Sequence, residues 1–383
     1  MKRIAYVLVF VVIIGLSFIA GMNYNGYLSA QNGVVDKNLQ VLSQAYYFIT
    51  NNYVDKNLDK VELTYKGIEG MISSLNDPYS YFMTPQDYKA MGEEFQGSFE
   101  GVGMEIGVND NKQVVVISPI DDTPAQKAGI KPGDIIIKVD DKSTNGMNAD
   151  DVSKLIRGPA GTKVKITIQR EGESKPLEFT LTRAVVKLVT VSSKVLDNSI
   201  GYIKIKAFRE PTGDELNKAL DAVLPKSKNG IILDLRNNPG GLLGSAIEVV
   251  SYFVPKGPVV YAEDRDNNRE EYSVIPNLYR VKVPLVVLVN KGSASASEIV
   301  AGALQDYKRA TLIGTKTFGK GLVQSVVALA DGSAISLTIQ RWLTPNKRYI
   351  HKEGITPDIV VEWDQKGNDI QLERAKSFLL EKK

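Results

Sequence analysis

Three serines, Ser293, Ser295 and Ser297, alternate with small residues in the stretch NKGSASASEIVAGAL, between an apolar run and an apolar-periodic one. Small residues at a strand-to-helix turn let a hydroxyl approach a substrate carbonyl, with backbone N–H groups and the positive end of a helix nearby. Each of the three also suits a plain helix N-cap, and the stretch alone leaves both readings open. A serine hydroxyl is a weak nucleophile and needs a base. The usual base is histidine, and the chain holds one, His351, in the turn-like RYIHKEGITPDIVVE, where a hydrogen-bonded structural role is expected. Neither G-x-S-x-G nor S-x-x-K occurs. A lysine can act instead if burial keeps it neutral, because desolvation disfavours the ammonium. Lys320 is flanked by Phe318, Gly319, Gly321, Leu322 and Val323, with no acidic neighbour in sequence. Gln324 stands close enough in the chain to offer its amide oxygen to the amine.

The stretch around that lysine, GTKTFGKG, fits G-x-x-x-x-G-K-[ST] at all but its last position, which raises a rival chemistry. A phosphate loop needs Ser or Thr after the lysine to hold Mg²⁺, and here Gly321 stands there. It also opens a helix whose N-terminus faces the phosphates. The residues after Gly321, LVQSVVALADGSAISLTIQRW, are rich in Val, Ile, Ser and Thr with period-two stretches and predict strands. The strand IILDL, ending in Asp234, mimics a second nucleotide motif, but apolar strands ending in Asp are common. Nucleotide binding is set aside.

The hydrophobic pattern shows the helices and strands that would carry these residues. Leu39, Leu42, Tyr46 and Ile49, then Val61, Tyr65, Ile68, Met71 and Ile72, recur at helical spacing and predict a helical module over residues 31–96. Thr84-Pro85 predicts an N-cap with proline in the first helical position. From residue 97 to 184 short β runs take over (VVVISPI, DIIIKVDD, KVKITIQR, LEFTLTRA), with helices at AQKAGI and Ala149–Ile156. From 185 to 368 strands alternate with helices, which predicts a βαβ-type sheet. Residues 369–383 predict a short amphipathic helix. The fold class is therefore α/β and multidomain.

At 383 residues, 43% hydrophobic and 24% charged, the chain is of ordinary globular composition with room for several domains. A net charge of +3 is too small to argue for nucleic acid as a partner. With no cysteine and one histidine, disulfides, thiolate nucleophiles and H-E-x-x-H zinc hydrolysis are excluded. Lys2 and Arg3 precede a mostly apolar run, Ile4 to Met22, close to the ~20 residues that span a bilayer. Leu28-Ser29-Ala30 is a poor cleavage site, so residues 1–30 are expected to be an uncleaved signal-anchor, with a cleaved signal as the alternative. Either way the bulk of the chain is exported, held at the cell membrane on its extracytoplasmic side or secreted.

GSASASEI, with GKGLVQ after it, DLRNNPGG before both and HKEGITPDIVVE behind, resembles the carboxy-terminal processing (tail-specific) proteases. The motifs stand in that family's order and the resemblance covers residues 36 to 383. It implies a serine endopeptidase with a Ser-Lys pair, an embedded PDZ domain at 97–184 and a crotonase/Clp-like protease core. Carried onto this sequence, the nucleophile is Ser295, the base Lys320, and Gln324 assists the lysine. The oxyanion hole is expected from the N–H groups of Ala296 and Gly241, with Gly240 as fallback. Gly101, Val102, Gly103 and Met104 stand in the place of the PDZ carboxylate-binding loop, which captures a C-terminus beside an added peptide strand. Arg157 matches an arginine that couples an occupied PDZ domain to the core; as a bare residue it reads equally as a solvated helix-end charge. The resemblance implies protein substrates with accessible C-termini, a homodimer, and no metal or cofactor. The rival reading is a membrane-tethered PDZ scaffold that binds tails without cleaving them.

Overall fold

The computed structural model describes residues 36–363 and 368–381. The expected anchor over residues 1–30 lies outside them; among the described residues no helix is long and apolar enough to cross a membrane. Two compact units divide between Met71 and Ile72. The first contains helix α1 (Lys37–Asn52), whose N-cap Asp36 accepts from the Asn38 N–H, and most of helix α2 (Lys60–Ser73). No residue of α1 is buried. Its apolar positions keep the helical period but meet no core.

In the second unit, strand β1 (Tyr81–Met83) leads into helix α3 (Pro85–Phe95). As the sequence predicts, Thr84 caps α3 by accepting from the Asp87 N–H, with Pro85 in the first turn. Although sequence pattern groups these elements with the preceding helices, β1 pairs antiparallel with β18 (Ala334–Leu343), deep in the C-terminal half.

Strands β3 (Met104–Val108), β4 (Val114–Pro119), β5 (Ile135–Val139), β7 (Lys163–Gln169) and β8 (Leu177–Thr182) form one sheet in that order, with short β6 (Lys142–Ser143) on β5. Val116, Ile136, Ile166 and Ile168 of the strands share its core with Ala125 of helix α4 (Pro124–Lys127) and Val152 of helix α5 (Ala149–Ile156). Strand β2 (Ser98–Gly101) pairs with β9 (Ala184–Lys187), so the chain enters and leaves this domain side by side.

The remaining core is a six-stranded sheet, β10-β11-β12-β15-β16-β19: Val191–Leu196, Ile200–Ile205, Gly230–Asp234, Leu285–Val289, Thr311–Gly314 and Ile359–Val360. From β11 to β19 the strands are parallel, as the alternation of strands and helices predicts. Every residue of β12 and β15 is buried, because layers cover both faces. On one face lie helices α6 (Thr212–Val223), α7 (Leu243–Ser251) and α8 (Ala296–Asp306). Helix α9 (Ile370–Glu381) sets Ala375 and Leu379 against Ile200, Ile232, Val286 and Ile313 on the other. A second sheet joins β13 (Pro258–Asp264), β14 (Arg269–Ser273) and β17 (Leu322–Ala328) to β18 and β1.

Candidate active site

The three serines separate cleanly. Buried Ser293 donates its hydroxyl to the Leu235 carbonyl (2.8 Å) and accepts from the Asn290 N–H (3.0 Å). Buried Ser297 donates to the Asn238 carbonyl (2.8 Å). Ser295, at the turn from β15 into α8, has a half-exposed side chain whose hydroxyl donates to no group among the described residues. Its backbone sits at φ 54°, ψ −115°, a conformation an L-residue adopts only under constraint. The constraint is visible: the Ala294 N–H donates to the Asn238 carbonyl, and Ser297 ties the next turn to the same carbonyl. A strained serine on a sharp strand-to-helix turn, hydroxyl outward, is the geometry of an attacking group.

Glu298 ties the backbones of Ser295 and Lys320 to one carboxylate. Its fully buried carboxylate accepts four hydrogen bonds. Oε2 takes the backbone N–H of Ser295 (2.9 Å) and that of Lys320 (2.8 Å). Oε1 takes the Gly319 N–H (2.7 Å) and the Thr317 hydroxyl (2.6 Å). The Lys320 carbonyl in turn accepts from the Trp342 indole (3.0 Å). The lysine backbone is thus fixed at both ends. Its side chain is half-buried, and burial holds its pKa below the usual lysine value, partly opposed by the negative charge of Asp77. No helix comes after this loop; β17 begins at Leu322, which removes the phosphate-loop alternative.

Two expectations meet a different arrangement. Gln324 does not hold the lysine amine: its amide donates to the Thr338 hydroxyl (3.1 Å), beside a register shift between Val323 and Gln324. The Lys320 ammonium lies instead 4.7 Å from the ring centroid of Tyr79. His351, expected to be hydrogen-bonded, packs by ring contacts against Tyr79 and Tyr349, and its Nδ1 is buried without a partner. Burial and the positive charges of Lys352 and Arg341 push its pKa down.

Beside Ser295 runs the Asn237–Leu242 loop. The Gly240 N–H is committed to the Asn238 side chain (2.9 Å), so Gly240 has no donor to spare. The N–H groups of Gly241 and Ala296 donate to nothing among the described residues. Gly240 is glycine for a steric reason: at φ 105°, a Cβ would stand 2.8 Å from the Ser295 Cβ.

A cleft of about 1010 Å³ is walled by Gly101–Met104 and Ile106 and also by Arg157, Lys206 and Pro239, the residue before Gly240. Strand β3 is the terminal strand of its sheet, so its outer edge is unpaired. Gly103, at φ 78°, lies so close to Thr123 that no side chain fits. Arg157, at the end of α5, sets its guanidinium 5.0 Å from the Phe99 ring centroid.

Similarity to known proteins bears on this architecture. The sequence pattern of peptidase family S41 matches residues 199–361, that of the PDZ domain residues 115–170, and that of the activating protease CtpB N-terminal domain residues 21–87. The carboxy-terminal processing protease CtpB of Bacillus subtilis is 41% identical over 331 residues, covering 85% of this chain and 68% of that one. CtpA of the same organism is 42% identical over 337 residues, covering 88% and 71%. This chain belongs to the carboxy-terminal processing protease family of S41 peptidases. The photosystem II D1 C-terminal processing protease superposes with a TM-score of 0.53 at 33% identity, covering 86% of this chain and 94% of that one. As a member of this family the protein is a serine-type peptidase with a PDZ domain.

Three features of this C-terminal processing protease escape a reading of its sequence by motif alone. Glu298 carries a signal, as the fourth residue of S-x-x-E, a capping-box signature. The signature places Glu298 on the Ser295 backbone N–H but gives no hint that the same carboxylate reaches on to the lysine loop. Tyr79 gives no signal, because its partner is 241 positions away. The strain at Ser295 has no residue-type signature at all.

Proposed function

We propose that the protein cleaves peptide bonds in the C-terminal tails of exported or membrane proteins, with Ser295 as nucleophile and Lys320 as general base. The observation that carries this reading is the shared Glu298 oxygen, which joins the backbones of two residues 25 positions apart. A tail docks along the open edge of β3 with its carboxylate at Gly101, Val102, Gly103 and Met104. Neutral Lys320 takes the Ser295 proton as the hydroxyl attacks the scissile carbonyl. The free N–H groups of Ala296 and Gly241 stabilise the oxyanion, each donor contributing roughly 10²–10³ in rate. Lys320 returns the proton to the leaving amine, and water releases the acyl group by the same route.

In the described state Lys320 rests on Tyr79 and Gln324 on Thr338. The reaction therefore requires the lysine side chain to turn to Ser295, with Gln324 released to hold it. Arg157, on the wall of the same cleft as the carboxylate loop, is the residue through which an occupied PDZ domain favours that turn. Residues 1–30 hold the enzyme at the membrane, on the strength of the apolar run behind Lys2 and Arg3. Exposed Tyr47 and Phe48 of α1 offer a surface for a second copy.

The test is to incubate the purified protein with an unfolded protein carrying an apolar C-terminus and to track fragments by mass spectrometry. Cleavage that disappears in Ser295→Ala is expected. Tails bound but never cleaved would favour the scaffold reading.

A further inference from the structure

Lys320 has no ion pair and no side-chain hydrogen bond among the described residues; its ammonium faces an aromatic ring. That ring belongs to a loop tied down at several points. The Asp77 carboxylate accepts from the Tyr79 N–H (3.1 Å) and the Ser80 hydroxyl (2.6 Å). The Ser80 oxygen accepts from the Thr338 N–H (3.0 Å), and β1 begins at the next residue, paired with β18. The Tyr79 ring is braced edge-on by His351, at 6.4 Å. Thr338 is also the residue whose hydroxyl receives the Gln324 amide. One loop therefore reaches both the lysine and the strand that holds the glutamine's partner.

An aromatic face attracts an ammonium and has no such attraction for a neutral amine. The catalytic role of Lys320, however, requires the neutral amine. We propose that Tyr79 is a positioning residue that parks Lys320 on its ring in the resting enzyme and biases it toward the protonated, non-nucleophile-activating form. The proposal rests on Lys320 being the base. The charged groups facing the lysine are Asp77, on the same loop as Tyr79, and Glu298, which holds the lysine backbone N–H; Lys352 and Arg341 act on His351, which braces the ring. All of these residues are retained in the Tyr79 variants.

The experiment uses the full chain with Tyr79→Phe, Tyr79→Leu and Tyr79→Trp. Two readouts are taken: kcat/KM against pH on a fluorogenic tail peptide, and the titration of the Lys320 ε-carbon by NMR in a Ser295→Ala background, assigned with Lys320→Arg. Phe keeps the ring and should keep the wild-type midpoint. Leu keeps the apolar bulk but removes the π face, so the acid limb should move to lower pH. Below the midpoint, kcat/KM should then rise roughly two- to fivefold. Trp, the best π donor, should move the limb the other way. An even loss of activity in Leu and Trp, with neither midpoint displaced, would mean Tyr79 is merely structural and would overturn the proposal. NMR midpoints that move while the kcat/KM profile stays fixed would uphold Tyr79's hold on Lys320 and overturn Lys320 as the base.

Discussion

At Ser295 and Lys320 the proposed chemistry depends on two conditions that local contacts create. The hydroxyl keeps its proton undonated while the turn around it is over-determined by Asn238, Ser293, Ser297 and Glu298. Burial lowers the pKa of the amine, against the opposing pull of Asp77. Since the base must be neutral, kcat/KM should rise about tenfold per pH unit on the acid side and level off once Lys320 has lost its proton. The plateau should begin below the ordinary lysine range of about 10.5, as a pH-rate profile on a tail peptide will read. Glu298→Gln should be costly without touching substrate. One of the two oxygens that now receive four hydrogen bonds becomes an NH₂ facing donors. A misplacement of about 1 Å in such a site can lower rate by roughly 10², and kcat should fall by that order while KM stays near its original value.

Among the elements, strand β3 and the loop before it are the ones to which the proposed function gives tail selection. Gly103 sits where a side chain would strike Thr123, at a φ that disfavours any other residue. Gly103→Ala should therefore weaken binding of a tail peptide at least tenfold in the Ser295→Ala protein, measured by fluorescence anisotropy, with near-native thermal unfolding outside this domain. Much at this scale is legible from sequence. Apolar runs such as IILDL and PLVVLVN form buried parallel strands, and the period-two stretch after Lys320 forms β17 and β18. Ala149–Ile156 is a helix within the expected limits. What pattern does not give are pairings across long separations. Strand β1 joins β18 and the Ser80 side chain receives the Thr338 N–H, although sequence groups residues 76–83 with the helices before them. Gln324 departs from its expected place for a related reason: proximity in sequence to Lys320 says nothing of where a bulged strand aims its side chain.

For the molecule as a whole, the protease core depends on closing the face of its sheet opposite helices α6–α8. Helix α9 does this, and an ionic cluster secures its start. Arg236 binds buried Asp234 through Nη2 (2.6 Å) and Asp369 through Nη1 (2.7 Å), while the Tyr202 hydroxyl donates to Asp234 (2.7 Å). Arg236→Leu would leave Asp234 charged and uncompensated in the interior, a loss on the order of 3–5 kcal/mol that urea unfolding will measure. Burial opposes the charge of Asp369, but its hydrogen bonds to Arg236 outweigh this and hold its pKa below the usual carboxylate value. A carboxyl depressed in the fold contributes stability above its unfolded pKa of about 3.8 and loses it as pH falls through the lower folded value. The contribution of Asp369 should vanish only in that acid window, and Asp369→Asn should flatten the acid limb of stability there.

Activation of Ser295 by Lys320 can be read by covalent labelling with a fluorophosphonate, mapped by tandem mass spectrometry. A single adduct on Ser295 is predicted, forming faster as pH rises and at least a hundredfold more slowly in Lys320→Ala. An adduct on Ser293 or Ser297, or equal labelling rates with and without Lys320, would contradict it.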